Sequence, residues 1–228
     1  MQRDGVPLMR FPINEVFETV QGEGYWTGTP ALFIRFQGCP VGCPWCDTKN
    51  TWELLPQHYT TLNEILAKED SGSSAWGYAD ADELVAEANA GHARHIVLTG
   101  GEPAMWDLTE LSKQLYRDGH RVQIETSGTY PIKIHDTAWV TLSPKIGMPS
   151  GRKVLSAALD RADEIKMPVG KQEDIDALLD LRDGLSAAVK IYVQPLSLSA
   201  KATALCAQAA AERGWKVSLQ THKLSSIR

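Results

Sequence analysis

The chain has 228 residues, of which 43% are hydrophobic and 22% charged, a composition typical of a globular protein and not of a disordered or fibrous one. Because 23 Lys and Arg residues stand against 28 Asp and Glu residues, the net charge is −5, which leaves no broad basic surface for nucleic acid. No apolar run approaches the roughly 20 residues that span a bilayer, and the first residues lack the apolar segment of a signal peptide. We therefore expect a cytoplasmic protein with a small-molecule substrate.

Short β-rich runs alternate with helical stretches along the chain. The runs predict strands at 31–37, 95–100, 121–126, 139–143, 163–167, 188–194 and 215–220, and the stretches between them predict helices at 81–90, 107–119, 171–184 and 199–214. Most of these strands lack strict apolar–polar alternation, as in a parallel sheet covered on both faces. The order predicts an α/β fold. We expect a partial or modified (β/α) barrel, with an open doubly wound sheet as the alternative, because seven strands do not make a full eightfold barrel.

One interval does not follow this alternation. Residues 51–78 fit it poorly and contain the small-residue run SGSSAWGY, so we expect an insertion or surface loop there. No internal repeat, low-complexity tract or linker divides the chain. The sequence therefore predicts a single domain over residues 1–228.

Three of the four cysteines are clustered. Cys39, Cys43 and Cys46 lie at C-x3-C-x2-C spacing just after a predicted strand, which in a reducing compartment indicates metal binding rather than disulfides. Their thiolates suit an iron–sulfur cluster or zinc. Zinc would need a fourth ligand, for which His58 is the nearest candidate, whereas a [4Fe–4S] cluster would keep one iron open to a small molecule. Cys206 lies in an Ala-rich predicted helix and is expected to be a small buried hydrophobe.

The cysteine loop, with Trp45 before its third cysteine, resembles the motif of the radical S-adenosylmethionine (SAM) enzymes. In that family the three cysteines hold a [4Fe–4S] cluster, SAM binds the open iron, and an electron from the cluster cleaves SAM to methionine and a 5′-deoxyadenosyl radical. The run Thr-Gly-Gly-Glu-Pro at 99–103 is similar to the family's GGE motif. This similarity implies a SAM contact at Gly101 and a supporting role for Glu102 in the loop.

Further polar residues follow the ends of predicted strands, where a parallel barrel places its active-site loops. Each has an ordinary explanation: a helix cap or turn at 125–128, a solvated cation at Lys145 and a turn-capping amide at Gln194. If SAM binds nearby, a lysine can instead donate to its carboxylate. The resemblance implies cofactor contacts at Glu125, Ser127, Ser143, Pro144, Lys145 and Gln194.

A more specific resemblance comes from the segment 14–24, which ends in Gln-Gly-Glu-Gly, and from Arg35 within the run Phe-Ile-Arg-Phe. An arginine between apolar neighbours can form a buried salt bridge or bind a substrate carboxylate with its planar fork. Together with the cysteine loop, the polar strand ends and Gln-Thr-His-Lys at 220–223, these motifs resemble the 7-carboxy-7-deazaguanine synthase family nearly end to end.

That family converts 6-carboxy-5,6,7,8-tetrahydropterin to 7-carboxy-7-deazaguanine with loss of ammonia, in the biosynthesis of queuosine and related 7-deazapurines. The resemblance implies a lyase with a Mg²⁺ ligand at Thr48, although Asp47-Thr48 could equally be a turn pair. It also implies a homodimer and an electron donor such as flavodoxin. The implied substrate contacts are Val20, Gln21, Gly22, Arg35 and Thr99.

Two hypotheses of other kinds stay open at this point. A radical SAM enzyme with a different substrate, such as an activase that makes a glycyl radical, would share the cysteine loop but would not need Gln-Gly-Glu-Gly or Arg35. A zinc-binding interaction module would be colourless after anaerobic purification, whereas an iron–sulfur enzyme would be brown. Iron and sulfide analysis distinguishes these possibilities.

Overall fold

The computed structural model describes residues 9–182 and 184–225, so both ends of the predicted single domain and one residue of the predicted helix 171–184 lie outside the described residues. Within them the strands are β1 (Arg10–Val20), β2 (Pro30–Phe36), β3 (Gly77–Asp80), β4 (His95–Gly100), β5 (Arg121–Thr126), β6 (Trp139–Leu142), β7 (Glu164–Val169), β8 (Lys190–Pro195) and β9 (Lys216–Val217). The helices are α1 (Leu62–Leu66), α2 (Ala81–Ala90), α3 (Thr109–Arg117), α4 (Ser156–Asp160), α5 (Gln172–Arg182), α6 (Ala200–Arg213) and α7 (Thr221–Ser225).

All of these strands belong to one sheet in the order β3-β1-β2-β4-β5-β6-β7-β8-β9. From β2 to β9 every pairing is parallel, and β1 pairs antiparallel with both β2 and β3. A doubly wound sheet reverses its strand order at a switch point, whereas the parallel strands here follow one another in a single direction. The ladder ends at β3 and β9 without closing. The predicted partial (β/α) barrel is therefore confirmed, and the doubly wound alternative is wrong.

All seven predicted strands are present, but β1 and β3 were not predicted. The sequence interpretation placed the segment 14–24 before the first strand, whereas residues up to Val20 form β1. The reason is that β1 buries polar side chains: Asn14 donates to Gln37 Oε1 at 2.9 Å, and Glu15 accepts from Arg35 Nε at 2.6 Å. Buried polar residues of this kind hide the apolar pattern by which a strand is recognised.

The interval 51–78 contains α1 and the first residues of β3. Helix α1 begins with a capping box in which Thr61 and Glu64 satisfy each other's backbone N–H groups. A parallel bridge joins Tyr59 to Trp76, and Trp76 Nε1 donates to Leu55 O at 3.0 Å. The segment is thus held against the sheet edge by β3. Its origin as an insertion, like the division of the chain into domains, stays a prediction.

The apolar core is formed by the strands and the helices between them. One cluster of buried residues includes Phe36, Leu98 and Ile124, and a second includes Ile165 and Cys206. Cys206 is fully buried, so the prediction that it serves as a small core residue is confirmed. No helix in the described ranges combines the length and the apolar character needed to cross a membrane.

A short 3-10 turn at Gly24–Trp26 covers the N-terminal end of the barrel. The rings of Tyr25 and Trp26 contact the first residues of three neighbouring parallel strands: Trp26 lies 5.0 Å from the His95 ring of β4 and 4.3 Å from the Arg121 guanidinium of β5, and Tyr25 stacks at 4.7 Å on Trp139 of β6. Because the turn continues the Gln-Gly-Glu-Gly segment, this aromatic packing also fixes the position of that segment.

Gly24 allows this turn to approach a buried carboxyl group. Its φ is +67°, and a Cβ there would lie 2.1 Å from Glu164 Oε1, so a larger residue is excluded on both counts. Glu164 is fully buried and accepts from Tyr25 N at 2.9 Å through Oε2, while its Oε1 accepts no hydrogen bond from any described residue. Burial raises the pKa of Glu164 to about 7, against the lowering effect of the nearby Lys166 ammonium.

Replacing Glu164 by Gln should stabilise the protein at high pH only. The unfolded carboxyl loses its proton near 4.5 and the folded one near 7, so the folded state binds the extra proton between these values and stability falls as the pH rises through them. The cost above pH 7 is on the order of 3 kcal/mol. We expect Glu164→Gln to unfold at a higher temperature than the wild type at pH 8, with little or no gain at pH 5.

The matched control is Glu173→Gln on the exposed side of α5, for which no pH-dependent gain is expected. Thermal unfolding at both pH values is the measurement. If the unfolding temperatures of Glu164→Gln and wild type differ by the same amount at pH 5 and pH 8, the pKa of the buried Glu164 carboxyl is not raised.

Candidate active site

A cavity of about 340 Å³ lies at the C-terminal ends of the parallel strands. Of the residues predicted to bind cluster, cofactor, substrate or magnesium, the structure brings fifteen together on its wall: Val20, Gln21, Gly22, Arg35, Cys39, Cys43, Cys46, Thr48, Thr99, Gly101, Glu125, Ser127, Ser143, Lys145 and Gln194. Pro144 is not among the lining residues. The chain therefore collects side chains from seven regions of the sequence into one place.

The cysteine loop is held by backbone hydrogen bonds to the segment that follows it. Gly38 N donates to Thr51 O at 2.7 Å, and Cys39 N donates to Trp52 O at 2.9 Å. Cys43 is buried with Val41 and Met148, and the other two cysteines pack against this group. None of the four cysteines in the described ranges forms a disulfide, so three thiols are available on one short loop.

Burial shapes the ionisation of these thiols. It raises the pKa of Cys39 to about 11 and also raises the pKa of Cys43. Beside them, burial lowers the pKa of the Lys145 ammonium, which the Cys43 thiolate would favour in its charged form. A cationic centre that takes thiolate ligands offsets the cost of deprotonating such thiols. The residues therefore fit an iron–sulfur cluster with one iron per cysteine.

A single zinc ion fits less well. Zinc needs four ligands that converge at about 2.0–2.3 Å, and no three Cys, His, Asp or Glu side chains in the described part of the chain are grouped so that they could hold one metal ion. His58, the predicted fourth ligand, is not among the residues that line the cavity. Cysteines bound to separate irons of a cluster do not have to converge in this way.

The Gly-Gly-Glu-Pro loop lies directly on the cysteine loop. Gly101 N donates to Phe36 O at 2.9 Å, and Glu102 N donates to Gly38 O at 2.8 Å. A Cβ at Gly101 would lie 2.2 Å from Gly38 O, so only glycine allows the two backbones to approach this closely. The loop is thereby positioned next to the cysteines by main-chain contacts.

The Glu102 side chain stabilises the Gly-Gly-Glu-Pro loop through hydrogen bonds. Its buried carboxylate accepts from Ala104 N at 3.0 Å, from Thr126 Oγ1 at 2.6 Å, from Ser127 N at 2.9 Å, and from Ser127 Oγ. The supporting role predicted for Glu102 is confirmed. The same contacts engage the hydroxyl group of Ser127, one of the predicted SAM contacts.

The remaining predicted cofactor contacts lie at the ends of β6 and β8. Lys145 Nζ donates to Ser143 Oγ at 2.6 Å, and Ser143 N donates to Thr126 O at 2.7 Å. Gln194 Oε1 accepts from Ser218 Oγ at 2.9 Å. Lys145 thus brings a half-buried cation to the cavity wall, suited to a carboxylate ligand.

Two of the predicted substrate contacts, Gln21 and Thr99, are hydrogen-bonded to the same carboxylate, that of Glu125 on β5. Arg35 and Thr99 are register partners in the parallel pair β2–β4. Glu125 accepts from Thr99 Oγ1 at 3.3 Å and from Gln21 Nε2 at 3.2 Å. Glu125, which was assigned to the cofactor, therefore contacts residues that were assigned to the substrate.

The sequence offers two interpretations of Arg35, a buried salt bridge and a ligand for a substrate carboxylate, and the geometry of its side chain is compatible with both. Its Nε donates to the buried carboxylate of Glu15 at 2.6 Å, and its guanidinium lies 5.9 Å from the Phe17 ring. The buried salt bridge expected as one alternative is present. The Nη groups are the part of the fork that a carboxylate ligand would use.

Sequence reasoning assigned no role to several other cavity residues, namely Glu23, Asp47, Lys166, Gln220 and His222. Lys166 gave a signal of the same kind as Arg35, because both are cations within apolar strand runs. Glu23 and the segment 220–223 lay inside motifs that carried the resemblance. Asp47 and Gln220 are 173 residues apart in sequence and 3.2 Å apart in space, a proximity that only the fold reveals.

Comparison with known proteins gives consistent results. Residues 33–181 match the Radical SAM superfamily. The chain is 50% identical over 223 residues to 7-carboxy-7-deazaguanine synthase of Escherichia coli (strain K12), covering 96% of this chain and all of that protein. It is 42% identical to the protein of the same name from Buchnera aphidicola, covering 96% of this chain and 100% of that one.

The fold has a close counterpart among solved structures. The crystal structure of QueE from Escherichia coli matches with a TM-score of 0.88 at 48% sequence identity, covering 92% of this chain and 93% of that chain. The similarity therefore extends over nearly the whole length of both proteins.

Replacing Gly101 by Ala should disturb both loops. Because the new methyl group would meet the Gly38 backbone, we expect a loss of stability on the order of 1–3 kcal/mol and a lower iron content after anaerobic reconstitution. Gly184→Ala is the matched control, since a Cβ there meets nothing within 4 Å. Thermal unfolding and iron analysis are the measurements, and wild-type values for Gly101→Ala would refute the proposed backbone contact.

Proposed function

Because the chain belongs to the radical SAM superfamily and, within it, to the 7-carboxy-7-deazaguanine synthase family, we propose that it converts 6-carboxy-5,6,7,8-tetrahydropterin to 7-carboxy-7-deazaguanine with loss of ammonia. It is a radical SAM enzyme of 7-deazaguanine biosynthesis, on the route to queuosine. Membership of this family excludes the two other hypotheses that the motifs left open, a glycyl-radical activase and a zinc-binding interaction module.

One observation supports the site assignment above all. The cysteine loop, the Gly-Gly-Glu-Pro loop and the Gln-Gly-Glu-Gly segment, which lie far apart in sequence, line a single cavity. A radical enzyme must hold its cofactor and its substrate in contact, because positioning contributes much of its rate and keeps a reactive species from diffusing away. We therefore assign the cofactor and the substrate to the same cavity.

The cofactor side would be formed by the cysteines and the strand ends near them. Cys39, Cys43 and Cys46 would each hold one iron of a [4Fe–4S] cluster, whose electron, once SAM is bound, generates the 5′-deoxyadenosyl radical. The backbone of Gly101 would contact the methionine part of SAM. Other contacts on this side would be Glu125, Ser127, Ser143, Pro144, Lys145 and Gln194.

The substrate side would be formed by residues of β1, β2 and β4. The Arg35 guanidinium, fixed through Nε by Glu15, would bind the pterin carboxylate with its Nη groups. Gln21 and Thr99 share the Glu125 carboxylate, so each is held in one orientation before substrate arrives. The backbone of Val20 and Gly22 would complete this wall.

Magnesium is proposed at Thr48 on the strength of the family resemblance. Thr48 lines the cavity beside Cys46, whose Sγ accepts from Thr48 N at 3.4 Å. Mg²⁺ takes oxygen ligands and retains several waters or substrate oxygens, so one hydroxyl together with the substrate carboxylate fits the donor set on this wall.

Partners and location are proposed on the same basis. A homodimer and an electron donor such as flavodoxin are implied by the resemblance. The cytoplasmic location stays a prediction from the sequence.

Turnover of the proposed substrate tests the function directly. The anaerobically reconstituted enzyme, supplied with reductant and SAM, should form 7-carboxy-7-deazaguanine, identified by mass. Arg35→Lys keeps the charge but loses the planar fork, so we expect its KM for the pterin to rise about tenfold with iron content unchanged. Arg117→Lys, at an exposed residue of α3, is the control. If Arg35→Lys leaves this KM unchanged, Arg35 has only a structural role.

The magnesium proposal predicts a metal-dependent rate. Adding Mg²⁺ to chelator-treated enzyme should raise turnover, and Thr48→Ala should reduce that response because it removes the only protein oxygen assigned to the metal. Thr137→Ala, at an exposed threonine, should respond as the wild type does. Equal wild-type rates with and without Mg²⁺ would remove the metal from the reaction.

A further inference from the structure

Lys166 lies inside the barrel, in the middle of β7, and its side chain is only 5% exposed. Its ammonium contacts two carboxylates, Glu23 Oε2 at 2.5 Å and Glu125 Oε1 at 3.1 Å. Both carboxylates and the lysine line the cavity. A buried charge in direct contact with two residues of the active-site wall is a candidate for a functional role that the family resemblance did not assign.

We propose that Lys166 is a positioning residue for the substrate side of the site, acting through Glu125 and Glu23. The proposal rests on the proposed function and extends it to a residue for which the motifs gave no role. In this proposal one ammonium group holds two separate groups of residues on the substrate side of the cavity in the positions that bind the substrate.

The first piece is the group around Glu125. This carboxylate, held by Lys166, is also the acceptor for Gln21 Nε2 and Thr99 Oγ1. Both donors are proposed substrate contacts. If the ammonium were lost, Glu125 would have to change its position or its protonation state, and both donors would lose a fixed acceptor.

The second piece is the Gln-Gly-Glu-Gly segment together with the segment that begins at Gln220. Glu23 accepts from Gln220 Nε2 at 2.8 Å, and the same amide contacts Asp47 Oδ2 at 3.2 Å. Thr221 N donates to Gly22 O at 3.1 Å. The Lys166–Glu23 pair thus anchors a chain of contacts that reaches the residue following Cys46.

The electrostatics agree with this arrangement. Burial alone would lower the pKa of Lys166, but the carboxylates of Glu125, Glu23 and Glu164 outweigh it and hold that pKa above its ordinary value. Burial alone would likewise raise the pKa of Glu23, which Lys166 instead holds at about 2. Of these three carboxylates, those of Glu23 and Glu125 contact the ammonium directly.

The cofactor side is held by other groups. Gly101 N donates to Phe36 O, Ser143 N donates to Thr126 O, and Lys145 Nζ donates to Ser143 Oγ. The side-chain hydrogen bonds of Lys166 in the described structure go to Glu23 and Glu125. Loss of Lys166 should therefore affect the pterin much more than SAM, a difference that general loss of stability would not produce.

The experiment compares Lys166→Met, Lys166→Arg and wild type as anaerobically reconstituted enzymes. For Lys166→Met we expect the KM for 6-carboxytetrahydropterin to rise at least about tenfold and kcat to fall, while the KM for SAM changes less than about threefold. Iron content and the slow reductive cleavage of SAM without pterin should stay near wild-type values. Lys166→Arg keeps the charge and should recover part of the lost kcat/KM. Lys113→Met, at a half-buried lysine of α3 outside the cavity, is the matched control.

Two outcomes would overturn the proposal. One is an unchanged KM and kcat for the pterin in Lys166→Met. The other is a parallel loss of iron, of pterin-independent SAM cleavage and of turnover, which would make Lys166 a residue of general stability. If Lys166→Met does not fold, Glu23→Gln removes one of the two ion pairs and leaves the other, and the same preferential effect on the pterin KM is required of it.

The outcome for the wild type separates this inference from the proposed function. A wild-type enzyme that cleaves SAM but makes no 7-carboxy-7-deazaguanine would refute the function. If the wild-type enzyme makes the product and the Lys166 and Glu23 variants keep the wild-type KM and kcat for the pterin, only the role of Lys166 is refuted.

Discussion

A lysine buried inside a barrel has to be neutralised, because an isolated ammonium in a poorly solvated interior costs several kcal/mol. In this protein the neutralising carboxylates, Glu23 and Glu125, belong to different segments of the chain. Bringing them to Lys166 therefore joins the Gln-Gly-Glu-Gly segment to the parallel strands. The contacts of Gln21, Thr99 and Gln220 depend on the same two carboxylates.

Around the cysteines, the site is held together by main-chain contacts instead of buried charges. Two backbone hydrogen bonds join the Gly-Gly-Glu-Pro loop to Phe36 and Gly38, which lead into the cysteine loop, and Gly101 permits an approach that any side chain would prevent. Glu102 then fixes the loop from beneath. The cysteine side thus depends on backbone geometry and the substrate side on buried charge, so different substitutions should disturb the two sides.

Much of this arrangement could be predicted from local patterns. The seven runs around the parallel strands, the C-x3-C-x2-C loop and the polar strand ends were all visible in the sequence, and fifteen of the predicted site residues line one cavity. Strand β1 was missed because Asn14 and Glu15 are buried polar residues whose partners, Gln37 and Arg35, lie on other segments. Lys166 was missed for a similar reason, because its role depends on contacts with carboxylates that are far away in sequence.

The central claim of the proposed function is that this cavity would hold SAM and the pterin together, with Arg35 orienting the pterin so that the carbon bearing its carboxylate would give up its hydrogen to the 5′-deoxyadenosyl radical. The most direct measurement uses 6-carboxytetrahydropterin deuterated at C6 in an anaerobic turnover and follows the label by mass. If the pterin is held in this way, the deuterium appears in 5′-deoxyadenosine. Deuterium retained in the deazaguanine product, or found only in water, would contradict this claim.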